Sequence, residues 1–207
     1  MEILQDCTLY LGLISLLVAL YFVHKYKTSF YKYFVFYLLF ALSAEFIGDL
    51  IEGVNGNIWF FNLYTFFEFL LVATIYFALN KEKSSKKIIK YTSIVFYIIY
   101  FLSFQFTILQ NYTVILLALF VTFFMFIHLK ELLNSNKIIN FKKEISFWIT
   151  VGFLIYYLGT IPFFSLLYIG KMYDRILFTI LSVIVIAMHL VLIGGLIWSK
   201  RIQKSSS

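Results

Sequence analysis

The chain has 207 residues, of which 62% are hydrophobic and 13% charged, and its mean hydropathy is +0.92. That balance excludes a soluble domain, which has no room to bury so much apolar surface at this length. The formal net charge is +7, yet the basic residues fall in short segments between apolar runs. This reads as an orientation signal and an attraction to anionic lipid headgroups, with no nucleic-acid partner. A transmembrane barrel would show alternating segments of roughly ten residues, and none appears. The class is an all-α membrane protein.

In chain order, the N-terminus MEILQDC is acidic and lacks both the basic segment and the small-residue cleavage site of a secretory signal. The first apolar run, 7–23, is therefore read as a permanent span. Its Cys7 is the only cysteine, which excludes an internal disulfide. A loop with Lys25, Lys27 and Lys32 precedes span two, 33–53. The Gly/Asn turn VNGN leads to span three, 58–79. Lys81, Lys83, Lys86, Lys87 and Lys90 crowd the approach to span four, 88–109. A polar turn at Gln110-Asn111-Tyr112 opens span five, 113–133. The longest loop carries Lys137, Lys142 and Lys143, and span six follows at 145–169. Span seven, 176–198, comes after Lys171, Asp174 and Arg175, and 199–207 reads as a basic disordered tail. The expectation is one domain of seven transmembrane helices. Fifteen of the seventeen Lys and Arg residues fall in loops one, three and five, the tail, or the span ends that adjoin them (Lys90 and Lys130). The positive-inside rule then puts the N-terminus outside and the C-terminus in the cytoplasm of a multi-pass protein of the cell inner membrane.

Charge within a span is costly and usually faces the protein interior. Glu45, Asp49 and Glu52 are spaced i, i+4, i+7, which puts them on one face of span two. On span three, Tyr64, Thr65 and Glu68 share a face, with Asn62 to one side. From the helical rise, Glu45 lies roughly 12 Å and Glu68 roughly 15 Å below the outer boundary. Two carboxyls at matching depth with no obvious cation are expected to share a proton. Asp49 and Glu52 lie nearer the surface, where Lys171 and Arg175 are candidates for outer-face ion pairs. On span six, Trp148, Gly152, Ile155 and Gly159 form a seam suited to close helix packing, flanked by Tyr156 and Thr160, with Pro162 beyond. His189 is the only mid-span histidine; His24 and His128 read as rim residues. The expected ligand- or proton-binding set is Glu45, Glu68, Tyr156, Thr160 and His189, closed by Asn62. The competing reading is a structural clamp, a glutamate bonded to Tyr or Thr between helices.

No His-Glu-x-x-His, zinc-like histidine pair or Gly-x-Ser-x-Gly elbow is present, so no metal, cofactor or catalytic set is expected. Two motifs, NLYTFFEF from Asn62 to Phe69 and FWITVGFLIYYLG from Phe147 to Gly159, resemble a family of small seven-span bacterial membrane proteins. The resemblance implies a seven-span fold and, because such proteins are associated with genes for sensor histidine kinases, signalling. The expected function is a sensory or regulatory module that binds a small or lipidic ligand and acts through a membrane or cytoplasmic partner. The alternatives are a proton-coupled small-solute transporter using Glu45 or Glu68, and a lipid-modifying enzyme using either as general base.

Overall fold

A computed structural model describes residues 2–26, 28–51, 58–134 and 144–205. They form seven helices and no strand: α1 (Glu2–Phe22), α2 (Ser29–Ile51), α3 (Ile58–Leu79), α4 (Lys83–Ser103), α5 (Thr107–Leu133), α6 (Ile145–Tyr168) and α7 (Arg175–Ser205). All but α1 and α4 contain a stretch long and apolar enough to cross a bilayer. The apolar part of α1, Asp6–Phe22, is shorter. α4 begins among lysines. In hydrocarbon every backbone polar group must bond internally, so apolar runs of this length form helices. The fold is that of an α-helical membrane protein.

With the start of α1 at the top, the neighbour relations trace a closed ring: α1 packs on α2, α2 on α3, α3 on α5, α5 on α6, α6 on α7, and α7 back on α1. α4 stands outside this ring, against α3 and α5. Aromatic residues dock it there. Phe96 of α4 stacks on Phe69 of α3 at 3.7 Å between ring centroids, and the Tyr100 hydroxyl donates to the Asn62 carbonyl at 2.8 Å.

The α6–α7 seam is set by glycines. A Cβ on Gly152 would lie 2.8 Å from Leu192 Cδ2, and one on Gly159 would lie 2.8 Å from Ile184 Cδ1. The reciprocal fit is tighter still, since a Cβ on Gly195 would overlap Trp148 Cβ. α6 runs unbroken through Pro162.

Several boundaries differ from the sequence reading. α1 starts at Glu2, well before Cys7, and Cys7 is exposed. α4 starts at Lys83, so Lys86, Lys87 and Lys90 lie on the helix. The α4–α5 connection is not at Gln110-Asn111-Tyr112, which fall in the early turns of α5, but at Phe104-Gln105-Phe106. There the Phe104, Gln105 and Phe106 amides donate to the Phe101, Leu102 and Ser103 carbonyls, winding the helix end tighter. α7 continues to Ser205, so the tail that reads as disordered from 199 is helical over that length.

At the top of α7, Asp174 caps the helix: its Oδ1 accepts the Ile176 amide at 3.2 Å. Just before it, Lys171 closes the end of α6 with a left-handed φ of 52°, and the Met172 amide donates to the Leu166 carbonyl.

Candidate functional site

The upper half of the ring encloses a cavity of about 520 Å³. All six ring helices line it and α4 does not. Of the six residues expected to bind a ligand or proton, Glu45, Glu68, Tyr156, Thr160 and His189 meet on its wall. Asn62 does not. It sits where α3 meets α4, and its carbonyl takes the Tyr100 hydroxyl.

Glu68 is the buried centre of the polar lining, 4% exposed. Tyr157 of α6 donates to its Oε1 at 2.8 Å. Tyr64, one turn earlier on α3, lines the cavity beside this carboxyl. The hydroxyls of Tyr37 on α2 and Tyr157 are 3.3 Å apart. Because Tyr157 gives its proton to Glu68, the Tyr37 hydroxyl is the donor in that contact. One carboxyl thus ties α2, α3 and α6 together while forming part of the cavity wall. The clamp and the pocket are the same side chain.

Sequence reasoning singled out Tyr156 and passed over Tyr157. Both line the cavity. A step of one residue turns a helix by about 100°, and only contact with α3 decides which tyrosine reaches Glu68. The Thr160 hydroxyl donates back to the Tyr157 carbonyl at 3.0 Å, fixing that turn of α6.

Glu45 is exposed and accepts a hydrogen bond from Thr8 Oγ1 of α1 at 3.2 Å. The hydrogen bonds described for the two carboxyls run to Thr8 for Glu45 and to Tyr157 for Glu68. The two carboxyls flank a common neighbour, since Tyr156 lies within electrostatic reach of both. His189 is buried, with Nδ1 2.9 Å from Ser15 Oγ of α1. Ser15 gives its own proton to the Gly12 carbonyl at 2.9 Å. Nδ1 therefore carries the imidazole hydrogen, and Nε2 keeps a free lone pair on the cavity side. Gly12 lies beside that nitrogen, where a Cβ would be in ordinary contact with Nε2 at 3.7 Å.

The expected outer-face pairs fall on residues that are only partly described. Lys171 and Arg175 are exposed and take part in no ion pair among the described residues. The Asp49 side chain and the whole of Glu52 lie outside the described residues. Among the described residues no group of three His, Cys, Asp or Glu side chains converges on a metal position.

At the lower end, a second polar group is found that the sequence did not indicate. His128, expected at a rim, is buried against the ring of Tyr76, and neither of its nitrogens has a partner among the described residues. Asn80 donates to the Tyr76 carbonyl, but its Oδ1 is buried and unpaired. Glu131 Oε1 accepts the Lys81 and Glu82 amides ahead of α4, while Oε2 is buried without a partner. Comparison of the chain with protein-family models, curated proteins and solved structures found no match.

Proposed function

We propose that this protein is a seven-span sensory or regulatory module of a bacterial inner membrane, which binds a small or lipidic ligand in the cavity and acts through a membrane or cytoplasmic partner. The observation that carries the reading is Glu68: a carboxyl buried among tyrosine hydroxyls, on the wall of a cavity large enough for a small molecule. A ligand that takes over a bond to Glu68 alters the tie among three helices at once, which gives binding a route to the rest of the ring. Orientation rests on charge. Fifteen of the seventeen basic residues belong to the lower end, which puts the cavity in the outward half by the positive-inside rule. The motifs around Glu68 and Tyr157, through their resemblance to proteins associated with sensor kinases, favour signalling.

The test is crosslinking and affinity capture from the native membrane, comparing the wild type with Glu68→Gln. A specific partner, recovered in different amounts from the two, is expected. If the two chains recover the same proteins as an unrelated multi-span control, and deletion leaves the responses of the cell unchanged, the regulatory reading fails.

The lower polar group favours a second reading, a carrier. Phe34, Phe69, Val72 and Phe153 form a dry layer, each fully buried, between the cavity and the unpaired atoms of Asn80, His128 and Glu131. Two polar regions separated by a closed apolar layer suit alternating exposure. Flux into proteoliposomes that is lost with Glu68→Gln would support this reading, and flux indifferent to that change would remove Glu68 from it.

A further inference from the structure

We infer that His189 selects the ligand of the cavity: its Nε2 accepts a hydrogen bond from an apolar molecule that carries an O–H or N–H group. This rests on the ligand-binding reading above and names what the ligand must offer. The inference comes from the two sides of one buried ring. His189 is 7% exposed. Its Nδ1 meets the hydroxyl of Ser15 at 2.9 Å, and Ser15, fully buried, is not part of the cavity wall. That hydroxyl gives its only hydrogen to the Gly12 carbonyl. Toward the imidazole it can therefore only accept, which holds the ring hydrogen on Nδ1. The opposite nitrogen lies beside Gly12, which lines the cavity. Among the described residues Nε2 has no hydrogen-bond partner. A ring nitrogen in this state accepts and cannot donate.

The other free hydroxyls of the wall do not oppose this choice. Tyr156 and Tyr168 line the cavity with no hydrogen bond among the described residues. A phenol both donates and accepts, so these two admit a donor or an acceptor alike. His189 is one-sided. A ligand whose polar group only accepts, such as an ether, would bury Nε2 against an atom that offers it nothing. A buried acceptor left unpaired costs more than a typical hydrogen bond contributes. An O–H or N–H group removes that cost. Most of the remaining wall is apolar, with rings such as Phe163 and Phe178, which suits a hydrocarbon body. Ser15 thus acts from behind the wall as a positioning residue. It fixes the tautomer of His189 without touching the ligand.

The experiment uses the full chain purified in a nonionic maltoside detergent, with two probes of one skeleton: 4-phenylbutanol and its methyl ether. Saturable binding, read by calorimetry against protein-free micelles, is expected to favour the alcohol by about fivefold or more, the size of one neutral hydrogen bond. A third probe, 4-phenylbutylamine, separates the two donors. Tighter binding than the alcohol assigns the site to N–H, and otherwise it belongs to O–H; the donor preference itself is decided by alcohol against ether. His189→Leu is expected to bring alcohol and ether to similar affinity. Ser15→Ala leaves His189 in place and serves where the first variant does not fold. Without the Ser15 oxygen the ring hydrogen can move to Nε2, and the ether is expected to gain on the alcohol. A purely structural part for either residue would move both probes together. An unchanged ratio of alcohol to ether in either variant overturns the assignment to His189. Equal binding of the two by the wild type overturns the donor preference while leaving the ligand cavity in place. Failure of all three probes to bind overturns the cavity reading along with it.

Discussion

Around the cavity, Glu68, Tyr37 and Tyr157 are joined by hydrogen bonds, whereas at the lower end Asn80 Oδ1, both nitrogens of His128 and Glu131 Oε2 are buried with no partner among the described residues. The upper half is open in the middle and held by polar ties across it. The lower half is filled by aromatic rings and by a helix seam closed on Trp148. Close apolar packing and saturated polar bonding are different ways to hold helices together in a bilayer, and this molecule divides them by depth. Where packing dominates, buried polar atoms can remain unpaired at a cost that the packing offsets.

That division can be broken most sharply at Gly195. An added Cβ meets the Trp148 Cβ, which cannot move without shifting α6. Gly195→Ala is expected to destabilise by about 3 kcal/mol, the upper end of overpacking costs, in thermal or denaturant unfolding in detergent. Gly194→Ala, with nothing within 4 Å, is the control and is expected to be neutral or to gain up to about 1 kcal/mol from helix propensity. Equal losses at the two sites would mean that the seam does not hold the lower half.

The corresponding cut in the upper half is Tyr157→Phe, which removes the donor to Glu68 and the acceptor for Tyr37. A loss of about 2 kcal/mol is expected, within the range for leaving a buried polar partner unsatisfied. Tyr156→Phe, which breaks no hydrogen bond described here, is expected to cost less. Reversal of that order would show that the ties across the cavity run through the other tyrosine.

At the lower end the sign changes. His128→Leu replaces a buried imidazole that has no hydrogen-bond partner, and a gain of about 1 kcal/mol in unfolding stability is expected. A loss instead would mean that a bound water or ion satisfies His128 in the membrane, and the contrast between the halves would disappear. The smallest effect is expected at Lys171, whose φ of 52° strains any side chain. Lys171→Gly should stabilise by less than about 1 kcal/mol, because glycine relieves the strain and also loses more freedom on folding.

Much of this architecture is written in the sequence as apolar length. The runs at 58–79 and 145–169 match α3 and α6 to within a residue, because hydrophobic thickness leaves little choice. The turn at Phe104-Gln105-Phe106 was not legible. Polarity marks turns in water, but at a bilayer boundary aromatic residues serve equally well, and Gln110-Asn111-Tyr112 was the more polar segment. Depth along each helix was enough to bring Glu45 and Glu68 to a similar level. Rotation about the helix axis was not available, which is why Asn62 was placed on the wrong side and Tyr157 was overlooked beside Tyr156. Ser15 carries no distinguishing signal in an apolar run; only its contact with His189 gives it a role. His128 is the reverse case. Lysines nearby in sequence suggested a rim position, while the packing of α3 against α5 buries it.

The single cysteine has a use that its chemistry does not suggest. Cys7 is exposed on α1, next to the Thr8 that donates to Glu45 beside the cavity. A thiol-reactive fluorophore would attach there and nowhere else in the native chain. The protein therefore carries its own attachment point for an optical reporter beside the cavity, and changes there can be followed without altering a residue.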